Sequence, residues 1–144
     1  MGVGGLDAAE GVSDMRTLIY VSSEYNRPPG RLFYHWHSGG PVIALPAVSG
    51  PYGAGSAPQG MYEVRQPVAL KAEGNQPYQD VDGFCWFAKI MPQFHTERTG
   101  LGIHPDGNVP GTLGCIGLKG STRSFYEWLK GEILAGEPVM LYVC

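Results

Sequence analysis

His104 and Cys115 stand 11 positions apart, one on either side of a loop rich in glycine and proline. His104 ends the apolar run Leu101-Gly102-Ile103, and Cys115 follows Thr112-Leu113-Gly114. Between them, Asp106-Gly107 and Pro110-Gly111 are turn signals, so the loop can fold back and bring the two side chains together. Such a pair is what thiol acyl transfer needs. An imidazole with an ordinary pKa of about 6.5 can take the thiol proton near neutral pH. The thiolate can then attack a carbonyl carbon. Gly114 lets a substrate approach the backbone, and the N–H groups of Gly114 and Cys115 are candidates to hold the oxyanion of a tetrahedral intermediate.

Other reactive groups are sparser. His35 and His37 are separated by one residue, so in a strand they share a face and with a third histidine could ligate a metal. No HExxH motif or cysteine pair accompanies them, and an ordinary strand edge is the preferred reading. Cys85, Cys115 and Cys144 are an odd number at long spacings with no CxxC, which supports neither a zinc ribbon nor a thioredoxin-like site. Cys85 alternates within a strong strand pattern and reads as buried; Cys144 is terminal. Trp86, Phe87 and Trp128 read as core.

The elements that must position these groups read as mainly β. Strand patterns cover 16–22, 31–37, 42–48, 61–64, 68–71, 84–90, 100–104 and 138–143. Residues 26–30 form a turn cluster, and 38–41 turn the second run into the third as a hairpin. Pro46 marks the third run as an edge or a bulge. Residues 49–60 read as a connecting loop, and 73–82 as polar and turn-like. One helix is predicted over 121–134. Ser121 or Thr122 caps it, Phe125, Trp128, Leu129 and Ile133 form its apolar stripe, and Gly136 ends it. Residues 1–15 read as a flexible tail before a single domain over 16–144.

Composition narrows the class. Twenty-two glycines and 12 prolines in 144 residues argue against a helical bundle, and 11% aromatics argue against low complexity. The net charge of −3, without a basic run, disfavours nucleic acid or an anionic membrane as partner. No apolar run is long enough to span a bilayer. Asp7, Glu10 and Asp14 stand where a secretory signal would carry positive charge.

The stretch Ile103-His104 … Thr112-Leu113-Gly114-Cys115-Ile116 resembles the catalytic motif of L,D-transpeptidases, the YkuD-type domain. That motif has a strand ending in Ile-His-Gly, a loop, and Ser/Thr-His-Gly-Cys followed by a hydrophobic residue. Val48-Ser49-Gly50 and Pro58-Gln59-Gly60-Met61-Tyr62 resemble the family's upstream turn. The resemblance spans about residues 31–144. Three features depart from it: Leu113 replaces the histidine before Gly-Cys, Gly117 replaces an asparagine or arginine, and the loop is short. These features resemble a compact branch among phage proteins and secreted toxin effectors. His95 offers a second register, with 16 residues between it and Thr112, a spacing that fits the family's longer loop. His104 is preferred for its strand context.

The resemblance implies a β-sandwich with one helix in its C-terminal half. It implies attack by Cys115 on a peptidoglycan stem peptide, a thioester intermediate, and transfer to a D-amino acid or another amine, or to water. His104 would serve as base and then acid, and Thr112 would shape the site. No metal or organic cofactor is implied. Arg98, Lys119 and Arg123, with His95, are candidates to bind substrate, one of the cations meeting a substrate carboxylate. The expected place of action is the periplasm or cell wall, reached by a phage particle or a secretion system. Two rivals remain: a cell-wall-binding module without turnover, and a metal hydrolase using His35 and His37. Leu113 is expected to wall the thiol with apolar surface, which makes Cys115 depend on His104 for a thiolate well below the ordinary value of about 8.5.

Overall fold

The computed structural model describes residues 16–23, 28–37, 39–107 and 111–144. The tail at 1–15, residues 26 and 27 of the turn cluster, Ser38 of the hairpin turn and residues 108–110 of the His–Cys loop lie outside the described residues.

The strands are β1 (Arg16–Val21), β2 (Gly30–His35), β3 (Val42–Ser49), β4 (Gly60–Val64), β5 (Val68–Leu70), β6 (Cys85–Pro92), β7 (Gly102–Pro105), β8 (Ile116–Leu118) and β9 (Val139–Val143). Helix α1 is Arg123–Leu134, and a short 3₁₀ turn covers Gln76–Tyr78. The order β4-β9-β1-β2-β3-β8-β7-β6 returns to β4 through the β4–β6 pairing, with β5 added on the outer edge of β6. The chain is therefore mainly β, as its composition indicates, but the expected sandwich is a closed eight-stranded barrel. A sandwich would leave two separate sheets with edges. Here Tyr62, Glu63 and Val64 of β4 pair with Pro92, Met91 and Ile90 and close the ring.

Period-two alternation fills the interior. Leu18 and Tyr20, Leu32 and Tyr34, Tyr62 and Val64, Trp86, Ala88 and Ile90, Ile103, Ile116 and Leu118, and Val139 and Leu141 are buried inside. A barrel of eight strands has an interior that side chains alone can fill. Helix α1 adds Phe125, Tyr126, Trp128 and Leu129 to this core, with Phe125 edge-on to Tyr34 at 5.1 Å. Tyr126 widens the predicted stripe, and Ile133 is only partly buried. Thr122 stands at the N-cap, yet its hydroxyl does not cap. It donates to Asp80 Oδ2 at 2.8 Å and accepts from Trp86 Nε1 at 2.8 Å. Ser121 donates instead to Asp82 Oδ2.

Pro46 is not on an edge. β3 lies between β2 and β8, and Pro46 stands just past the end of the β3–β8 ladder. There its carbonyl accepts the Lys119 N–H at 2.9 Å, so the missing proline N–H forgoes only one terminal bond. β8 itself was not legible in the sequence: three residues, Ile116-Gly117-Leu118, are too few to show a period. Among the described residues no helix is long and apolar enough to cross a membrane.

Candidate active site

β7 and β8 run parallel with Ile103 opposite Ile116. Both isoleucines point into the barrel, so His104 and Cys115 emerge together on the outer face, as diagonal neighbours. The predicted fold-back of the loop is thus a parallel strand pair. Both residues line one cavity of about 530 Å³, together with Arg98, Tyr52, Tyr78 and Phe87.

The imidazole is held from three sides and is 5% exposed. Tyr78 meets it edge-on at 4.7 Å, and Phe87 stacks on it at 5.8 Å and 15°. Gly102 makes the second contact possible, because a Cβ there would lie 2.2 Å from Phe87 Cζ. His104 Nδ1 is 2.7 Å from the Pro105 carbonyl. A carbonyl only accepts, so Nδ1 carries the hydrogen and Nε2 is the basic nitrogen. Burial lowers the imidazole below its ordinary pKa, against smaller upward pulls from the Pro105 hydrogen bond and the Asp106 charge. Burial likewise pushes the Cys115 thiol up, against smaller downward pulls from the Gly102 N–H and the Arg98 guanidinium. The expected low-pKa thiolate is therefore reversed: desolvation disfavours both charged forms. Leu113 is not the wall responsible. It lies on the cavity rim and is 72% exposed.

Thr112 is the latch of the cysteine loop. Its Oγ1 accepts from Gly50 N at 3.0 Å and Gly114 N at 3.1 Å, and donates to Cys115 O at 2.6 Å. The Gly114 N–H, one of the two expected oxyanion donors, is thus taken. Residues 49–60 do more than connect. Thr112 N bonds Gly50 O, Tyr52 N bonds Thr112 O, and Ser49 Oγ donates to Gly114 O.

Of the candidate cations, only Arg98 lines the cavity. Lys119 pairs with Asp106 at 2.9 Å, and Arg123 lies over the Phe84 ring at 3.8 Å. His95 is exposed and does not line the cavity, unlike His104. His35 is an exposed side chain bonded to Gly40 O, and His37 is exposed beyond the strand end. Among the described residues no three His, Cys, Asp or Glu side chains form a group that could hold a metal. Cys85 is buried and Cys144 exposed, and all three cysteines are free.

Sequence reasoning missed Tyr78 and misassigned Phe87. Tyr78 lay in a segment read only as a polar turn. Phe87 read as core with Trp86, although alternation along β6 puts it on the opposite face from Trp86, Ala88 and Ile90. No protein-family model matches the chain, and a search of curated proteins gave no match.

Proposed function

We propose that this protein is a cysteine-dependent acyltransferase of the L,D-transpeptidase kind, acting on peptidoglycan stem peptides. The observation that carries the reading is the shared cavity of His104 and Cys115, with the imidazole fixed through Nδ1 so that Nε2 is the base. Nε2 takes the Cys115 proton as Sγ attacks the carbonyl of the residue before a D-amino acid. The C–N bond breaks, the amine leaves with the proton from His104, and a thioester remains. An acceptor amine then gives a cross-link or an exchanged D-residue, and water gives carboxypeptidase action. Thr112 fixes the loop through its hydroxyl, and Arg98 is the cation on the cavity wall. The YkuD-like resemblance of the motifs supports the choice of substrate. A wall substrate implies action in the periplasm or cell wall, delivered by a phage particle or a secretion system.

The test is mass spectrometry of products from purified tetrapeptide muropeptides. Wild type should release D-alanine, Cys115→Ala should not, and Cys85→Ala and Cys144→Ala should keep most of the rate. Near-wild-type turnover by Cys115→Ala would overturn the mechanism.

A further inference from the structure

Attack of a thiolate on a carbonyl moves the C=O electron pair onto oxygen as the S–C bond forms. That oxyanion is stabilised by hydrogen-bond donors or positive charge fixed in advance. The Gly114 N–H is spent on Thr112 Oγ1. We propose that Arg98 takes its place as the electrostatic donor to the oxyanion formed at Cys115. This rests on the acyl-transfer reading above.

Four observations carry it. Arg98 lines the cavity that Cys115 lines. Its Nη2 lies against the Gly114 backbone, so close that a Cβ on Gly114 would stand 2.1 Å from it. Gly114, with φ of +136°, is therefore demanded twice, by its backbone conformation and by the guanidinium. Among the described residues the guanidinium is held in place by carbonyls: Ala54 O at 3.3 Å and Ser56 O at 3.1 Å on Nη1, and Gly55 O at 3.0 Å and Leu113 O at 3.4 Å on Nη2. These neutral acceptors orient the positive charge without cancelling it, and no ion pair among the described residues includes Arg98. The two longest bonds, to Ala54 and Leu113, can yield to an anionic oxygen, which binds a guanidinium more strongly than a neutral carbonyl does.

Two reactions of the same thiol separate this role from its rivals. Acylation of Cys115 by p-nitrophenyl acetate passes through an oxyanion, whereas alkylation by iodoacetamide does not. Both rates are measured on the full chain at a pH above the thiol inflection, so that thiolate supply is equal. Arg98→Met should slow acylation by about 10²-fold, the order seen when one oxyanion donor is lost. Alkylation should stay within a few-fold of wild type. Arg98→Lys keeps the charge but not the four-carbonyl fork, and should recover acylation to within about tenfold. Unchanged acylation in Arg98→Met overturns the proposal. So does an equal fall of both rates, which makes Arg98 a brace for the loops. If Arg98→Met fails to fold, Arg98→Lys decides: a folded variant as slow in acylation as a neutral residue would be, with normal alkylation, refutes the role of charge. If the wild-type thiol reacts with the ester but muropeptides are not turned over, the substrate reading fails and the Arg98 assignment stands.

Discussion

Replacing Thr112 by valine is the sharpest probe of how the cysteine is held. Valine keeps the shape and the methyl that stands beside Gly117, and removes only the hydroxyl. Three hydrogen bonds go with it: from Gly50 N, from Gly114 N and to Cys115 O. Each is worth about 1 kcal/mol net, and buried groups left without partners cost more, so the loss should be about 3 kcal/mol. For a domain of this size that corresponds to a fall of about 10 °C in Tm. Urea denaturation followed by tryptophan fluorescence measures it, with Thr112→Ser as control. Serine keeps Oγ1 and loses a methyl, so it should fall within about 1.5 kcal/mol of wild type. Muropeptide turnover should track the same order, because the hydroxyl ties Gly114 and Cys115 itself to the loop that begins at Gly50. A Thr112→Val protein within 1 kcal/mol of wild type, on the scale of a single such bond, would refute the latch.

His104→Ala should lose at least about 10²-fold in muropeptide turnover with its circular dichroism retained, while His95→Ala should keep its rate. The reverse result would reinstate the longer register. With the thiol raised and the imidazole lowered, iodoacetamide alkylation of Cys115 should inflect above the ordinary thiol pKa. Turnover should rise with an inflection below the ordinary imidazole value of 6.5 and show no acid optimum; an acidic thiolate plateau would refute the burial argument. Burial pushes the Asp80 carboxyl up, but hydrogen bonds from Thr122 Oγ1 and from the Phe84, Thr122 and Asp82 N–H groups outweigh it and hold its pKa below 3.8. Its contribution is then complete above the ordinary carboxylate value and is lost as pH falls through the lowered one. Asp80→Asn should flatten that acid limb in urea midpoints taken between pH 2.5 and 6.

What was legible in the sequence was local. Apolar, strand-prone runs between turn signals marked eight of the nine strands, and the spacing of Phe125, Trp128 and Leu129 marked the helix. Barrel closure was not legible, because it depends on β4 meeting β6 across more than 20 residues, a pairing no short pattern encodes. The His104–Cys115 pair was legible because both residues flank one loop. Arg98 was one of three equal cations until the fold placed Lys119 on Asp106 and Arg123 on Phe84. The sign of the Cys115 pKa shift was not legible, because the sequence shows the partner histidine and not the desolvation of each group in the folded chain. Tyr78 gave no signal at all: its role comes from the 3₁₀ turn that lays it edge-on to His104.

The burial of His104 and partial burial of Cys115 have a consequence for where charge appears. A thiolate–imidazolium pair at rest would place two charges where desolvation disfavours each of them, which tips the balance toward the neutral pair. For acyl transfer at Cys115, the negative charge then arises on sulfur and passes to the carbonyl oxygen only as the S–C bond forms. A fixed cation beside that path stabilises the transition state more than the ground state, which is the condition for raising kcat rather than only tightening binding. Arg98, tethered to four carbonyls and lacking a carboxylate among the described residues, meets that condition. A histidine in place of Leu113 would set a second titratable group beside the thiol. With leucine on the rim, the thiol has the Gly102 N–H and Arg98 to lower the cost of its ionisation, and in the proposed reaction His104, on the same cavity, takes its proton. Within the proposed acyl transfer, the departure at position 113 and the disfavoured ion pair point to the same division of labour: His104 moves the proton, and Arg98 answers the charge.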